Sequence, residues 1–342
     1  MSETADQSGP EASRKMLQLL NAFLNVQSLH VAAALGIPDL LAGAPATVDK
    51  LAALTGAHRL SLYRLLRMLA GLGVLNEETG ERFSLTALGE TLRSDSPNSV
   101  RDWALYVGAE ETWEAWGRLR DAVMTGEPGF VLAHGMSTYD FLSEHRELGA
   151  TFDRWMTRQS DQHNSAIMAA YDFSPFGTVA DIGGGEGSTL AAILRTNTSM
   201  RGILFDLPEV VEQPAQLVAA DVQDRCEVIG GDMLSGVPSG ADAYILKRVL
   251  MIWGDNEAVR TLQNCAAVLP KEGRLIGVEM IMPPPNEPSP ARAFDVLMLL
   301  ANKGGQIRTE AELGDLFAAA GLRLVRVLPT ASPNYILEGV VA

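Results

Sequence analysis

At 342 residues, 47% of them hydrophobic, the chain is long enough for about two domains with a sizeable buried core. Its formal net charge of −15 disfavours nucleic acid and anionic membranes as partners, because phosphate binding needs clustered Lys and Arg. With only two cysteines, Cys226 and Cys265, there is no disulfide framework and no Cys-based zinc site to consider. The opening stretch is polar and acidic, unlike a signal peptide, and no apolar run is long enough to span a bilayer. A soluble, cytoplasmic protein is expected, with no metal.

Residues 1–13, polar and terminal, read as a disordered tail. From Lys15, the residues Met16, Leu19, Leu20, Phe23, Leu24 and Val26 set a helical stripe that runs on to a stop at Gly36. The helix over 15–35 is apolar on more than one side, which calls for a second partner surface and predicts a homodimer. A short helix follows Gly36-Ile-Pro38. Thr47 then caps a helix closed by Gly56, and residues 59–72 form an amphipathic helix with Leu62, Leu65, Leu66 and Leu69 inward. Residues 73–85 read as a β-hairpin around Gly80.

Helices followed by a hairpin make a winged-helix arrangement over 14–98. Arg59, Arg64 and Arg67 would suit a DNA recognition helix. The acidic chain and the lack of a basic arm favour a dimerisation domain instead, with the arginines on a solvated face.

Residues 99–172 are a helical stretch rich in aromatics, among them Trp103, Tyr139 and Trp155. Such density packs domain junctions or lines pockets for planar ligands, and the stretch reads as a connector forming the active-site roof, though most of its rings are simply core. Strand–helix alternation begins at Gly177, with strands expected at 179–182, 202–205, 226–230, 243–246, 274–279, 324–328 and 335–340. A Pro-rich loop, 282–290, follows the fifth of them. This is the pattern of a doubly wound, mostly parallel α/β sheet over 173–342.

The first of those strands runs into Asp181-Ile-Gly-Gly-Gly-Glu-Gly187 and a helix. Glycines let a ligand lie against the main chain, and the helix start offers free N–H groups. The spacing departs from G-x-G-x-x-G at Ser188, and no G-K-[ST] follows, so neither a dinucleotide fingerprint nor a P-loop is present. Asp206 ends the second strand, where a carboxylate can accept both hydroxyls of a ribose. Asp232 and Met233 end the third, placed to take an adenine amine and cover its ring. The set describes an adenosine-type ligand without a phosphate clamp.

In combination, Asp181-Ile-Gly-Gly-Gly185, Phe205-Asp-Leu-Pro208, Gly231-Asp-Met233 and Leu246-Lys-Arg-Val-Leu250 resemble the bacterial S-adenosylmethionine-dependent O-methyltransferases of small molecules, which share the plant caffeate-type fold. The resemblance spans residues 16–341. It implies a Rossmann-like class I methyltransferase sheet behind an N-terminal, all-helical winged-helix domain that dimerises. It implies S-adenosylmethionine contacts by Ser160, Gly183, Asp206, Leu207, Asp232, Met233, Lys247 and Trp253, and substrate contacts by Met156, Met298 and Asn302.

The catalytic corner departs from the family. Where the family has a His general base, this chain has Met251. Where it has the Glu that orients that His, this chain has Ile307; only the third acid, Glu279, is kept. Neither Met nor Ile can accept a proton. His134 and His163 are the histidines that could face the pocket in their place.

Methyl transfer from a sulfonium is an in-line displacement that needs alignment more than a base. The first expectation is therefore a methyltransferase for a small aromatic or polyketide-like intermediate, acting without general-base help. The alternative keeps the cofactor for a non-methylating reaction: pericyclic cyclisation, hydroxylation or decarboxylation. A DNA-binding regulator is the third, disfavoured by the charge.

Overall fold

The computed structural model describes residues 8–212 and 214–342. They fall into two units. One holds the chain up to Glu114 together with Leu142–Arg158; the other holds Ala115–Phe141 and Gln159–Ala342. The aromatic stretch 99–172 is thus shared between the units.

Of the tail expected to be disordered, residues 1–7 lie outside the described residues, and residues 8–13 are helical instead. The helix Ser8–Leu20 starts early because Pro10 falls in its first turn, where a missing N–H costs nothing, and Glu11 complements the helix dipole. The expected single helix over 15–35 is stepped at Asn21, between Ser8–Leu20 and Ala22–Ala34. Across the step the Asn21 N–H still donates to the Leu17 carbonyl at 3.0 Å.

In this first unit β1 (Ala46–Thr47), β2 (Leu75–Glu78) and β3 (Arg82–Leu85) form an antiparallel sheet in the order β1-β3-β2. The hairpin is the one expected. Strand β1, two residues long, carries no alternation that could reveal it. Leu62, Leu66 and Leu69 recur at helical spacing on Arg59–Gly71 and are buried with Leu51 and Phe83. Arg59 is held by Asp49 at 2.6 Å and by Glu81, and Arg67 lies over the Tyr63 ring at 5.6 Å. Buried Asp102 takes Arg154 at 3.0 Å and Arg158 at 3.4 Å, tying the helices Arg101–Gly108 and Arg146–Ala170.

The second unit is built on seven strands: β4 (Thr178–Ile182), β5 (Arg201–Asp206), β6 (Cys226–Gly230), β7 (Ala243–Lys247), β8 (Arg274–Met280), β9 (Leu322–Pro329) and β10 (Asn334–Val341). Their order is β6-β5-β4-β7-β8-β10-β9, parallel except that β10 runs antiparallel to both neighbours. Each expected strand is present, lengthened by one to three residues where its bounds differ. Apolar side chains cover both faces: Ile182, Phe205, Leu246 and Phe317 belong to one cluster, and Val179, Leu204, Ile245 and Ile276 to the other. That is why these strands read as continuous apolar runs rather than alternating ones. The register pairs Ile182 with Phe205, Asp206 with Gly230 and Lys247 with Val278, so the polar strand ends gather along one edge. Among the described residues, no helix is long and apolar enough to cross a membrane.

Candidate active site

The glycine turn is pinned to the neighbouring strand. Gly183 and Gly184 N–H both donate to the Phe205 carbonyl, at 2.8 and 3.3 Å. Gly183 has φ 70°, and a Cβ there would lie 2.9 Å from Val249 Cγ2 and 3.0 Å from Met233 Cε. Only glycine fits that backbone and that closeness. Met233, expected beside an adenine, thus lies against this turn. Gly187, at φ 88°, starts the helix Ser188–Thr196.

Asp206 braces the turn from β5. Its Oδ2 accepts the Gly185 N–H at 2.8 Å and its Oδ1 accepts the Leu207 N–H at 2.7 Å. Burial pushes this carboxyl up, while those two N–H groups hold it down. Each oxygen keeps acceptor capacity for a hydroxyl. Leu207 is 44% exposed, open to a ligand. Asp232 is ordered in the same manner, accepting from the Leu234 N–H and the Ser235 hydroxyl, both at 2.9 Å.

Beside the turn, Lys247 Nζ donates to Ser160 Oγ at 2.9 Å, so two residues far apart in sequence meet. Asp181 lies beneath, 1% exposed, and neither of its oxygens has a hydrogen-bond partner. Burial pushes its carboxyl up to about 6, with Lys247 opposing. Burial likewise brings the Lys247 ammonium down to about 8, with Asp181 opposing. An orphaned buried carboxyl is costly unless something pairs with it. The chemistry of the more open members fits S-adenosylmethionine: Lys247 and Ser160 would suit a carboxylate, Asp206 a ribose and Asp232 an adenine amine. Trp253 follows the short turn Leu250–Ile252 and packs on the same apolar cluster as Met233.

The cluster around Met251 and Ile307 adjoins this edge. Met251 and Ile307 are buried in one cluster with Met280, Ala291 and Met298, flanked by Phe294 and Leu297. The segments carrying them are stitched together. Gln306 N–H donates to the Met251 carbonyl at 2.9 Å, and Ile307 N–H to Asp295 Oδ1 at 2.8 Å. Arg308 donates to the Leu250 and Trp253 carbonyls and to Asp255. Asn302 ends the helix Pro290–Ala301, its amide 3.7 Å from the Met298 sulfur. Met156 stands in the other unit, half-buried on Arg146–Ala170.

Glu279 is 1% exposed. Its Oε1 accepts the Leu250 N–H at 2.7 Å and its Oε2 has no partner. Burial pushes this carboxyl up to about 7, against that N–H and the charges of Arg248 and Arg308. His134 packs on the Phe141 ring at 4.3 Å. His163 meets the Asn334 amide at 3.1 Å, and burial together with Arg248 and Lys247 holds it down to about 4. It is neutral at pH 7 and a weak proton acceptor.

Two residues of this corner carried no signal of their own in the sequence. Arg308 is 3% exposed, a burial that nothing in Arg308-Thr309 announces. Arg248 takes φ 58°, a handedness rarely written into a non-glycine residue.

Residues 116–323 match the family model of an O-methyltransferase domain, and 17–95 that of an O-methyltransferase dimerisation domain. The phenazine O-methyltransferase of Lysobacter antibioticus is 42% identical over 324 residues, 94% of each chain. The mitomycin biosynthesis 6-O-methyltransferase of Streptomyces lavendulae is 36% identical over 330 residues, covering 96% of this chain and 94% of that one. Among solved structures, a methyltransferase of calicheamicin biosynthesis in its S-adenosylhomocysteine-bound form superposes with a TM-score of 0.85 at 38% identity, covering 98% of this chain and 99% of that one.

Proposed function

The chain belongs to the O-methyltransferase family, and on that premise we propose that it methylates a small aromatic or polyketide-like natural-product intermediate without a histidine base. S-adenosylmethionine is its methyl donor and supplies an electrophilic methyl on a sulfonium. The observation that carries the base-free reading is the pairing of an intact donor seat with an apolar acceptor corner. Asp206, Asp232, Lys247 and Ser160 remain where the cofactor would be held, while Met251 and Ile307 are buried among methionines.

The residues then work as follows. The glycine turn, Asp206 and the Lys247–Ser160 pair would hold the donor in place for the acceptor's attack on its methyl. The methionines and Phe294 hold a flat acceptor against it and exclude water, methionine being flexible enough to suit an irregular ring system. No side chain at 251 or 307 takes the acceptor's proton. The nucleophile must arrive ionised or electron-rich, as an acidic phenol or a ring nitrogen does. His163, held down to about 4, does not fill that gap. Met298 and Asn302 are assigned to the acceptor. The working form is a homodimer joined through the N-terminal domain, a reading supported by the dimerisation-domain match.

A second reading rests on the same apolar corner: a concerted, proton-free reaction in which the cofactor's charge acts and its methyl stays. Incubation with methyl-labelled S-adenosylmethionine and a hydroxyphenazine separates the two. Methylation moves label into the phenazine, with one S-adenosylhomocysteine formed per product. Conversion of the acceptor with all label retained in the cofactor would overturn the first reading in favour of the second.

A further inference from the structure

The last residue of β7 and the one that follows it are both cations, and the donor seat uses only one of them. Lys247 turns to Ser160, whereas Arg248 takes φ 58°, locked there by its N–H donating to the Val278 carbonyl at 2.8 Å. The guanidinium comes to lie over the Phe294 ring, 5.6 Å from its centre. Phe294 packs on the cluster of Met251, Met298 and Ile307, so the cation sits at the margin of the acceptor corner.

Its neighbours leave that cation largely unengaged. Among the described residues the guanidinium makes one hydrogen bond, from Nη1 to Gln159 Oε1, and Nε and Nη2 make none. Arg308 offers the contrast: its guanidinium is occupied by two carbonyls and Asp255. The acid that feels Arg248 most is Glu279, but it forms no contact ion pair with it; its Oε1 serves the Leu250 N–H, and burial favours its neutral form. A planar fork of donors, half-buried, backed by an aromatic face and lacking a counterion, is built to meet two anionic oxygens in a plane.

We propose that Arg248 is a specificity-determining residue that reads a carboxylate carried on the ring of a planar aromatic acceptor. This rests on the reading above that the acceptor lies against the methionine cluster. The ring would lie among Met251, Met298 and Phe294, and its carboxylate would take the free edge of the guanidinium.

The test is calorimetric titration of the full chain, loaded with S-adenosylhomocysteine, with 1-hydroxy-2-naphthoate and with 1-naphthol. The wild type should bind the naphthoate about tenfold tighter or more. Arg248→Met should abolish that preference while leaving 1-naphthol within about twofold, and Arg248→Lys should restore only part of it. Should the Met variant fail to fold, Arg248→Gly suits the positive φ and removes the same charge. Equal affinities in the wild type, or equal weakening of both compounds by the variants, would overturn the proposal. Binding of neither compound would overturn it too, by removing the acceptor from this cluster. Methyl-label transfer is measured separately, so base-free methylation can stand where the carboxylate reading falls.

Discussion

Glu279 carries a burden that its neighbours do not fully relieve. It is 1% exposed, one oxygen is unpartnered, and burial pushes it up to about 7 from an ordinary 4.5. A carboxyl raised on folding contributes stability below about 4.5, and that contribution is lost as pH rises through 7. Glu279→Gln keeps an acceptor for the Leu250 N–H and cannot ionise. Its melting temperature should therefore gain on the wild type as pH goes from 5 to 8, by no more than ~3 kcal/mol in stability. A difference that stays flat across that range would show that the carboxyl is not strained by ionisation. At this scale the sequence was partly legible. Met251 and Ile307 stood out because the motif letters around them located the corner. Arg248 did not, because its role comes from a left-handed backbone and from Phe294, 46 positions along the chain (294 − 248) and placed beside it only by the fold.

Elements were easier to read than residues. Strands buried on both faces announce themselves as apolar runs, and all seven of the large sheet could be placed. The small β1 could not, nor could the helix over 8–13, where polar composition hid an adequate first turn. The strand–turn–helix unit from β4 to Ser188–Thr196 makes a further expectation testable. Gly183→Ala would force a β-carbon into φ 70° and against Val249 and Met233. Strain of ~1–3 kcal/mol should lower the melting temperature. S-adenosylhomocysteine affinity should drop roughly tenfold or more, since a tenfold loss is only about 1.4 kcal/mol. An alanine variant that titrates like the wild type would show that the ligand does not approach the turn closely.

At the scale of the whole molecule, the N-terminal helices present a row of apolar side chains to the outside. Leu19 and Leu20 are each 63% exposed and Phe23 is 49% exposed. Contiguous apolar surface of this kind marks an interaction site in a protein that otherwise carries a charge of −15. Replacing Leu20 and Phe23 together by Glu should convert a dimer into a monomer in sedimentation equilibrium, with a lower melting temperature. A doubly substituted chain that sediments like the wild type would place the dimer contact elsewhere.

The antiparallel insertion in the large sheet has a consequence for how the molecule is made. Strand β10 follows β9 in the chain yet lies between β9 and β8. A chain emerging from the ribosome therefore completes β9 before its hydrogen-bonding partner exists, and β8 waits with one edge open. At ~5–20 residues per second that interval is short, but anything that stalls synthesis there holds two unpaired strand edges in solution. The same holds for a product that stops before Asn334: its parallel strands could form, and its open edges would invite another copy.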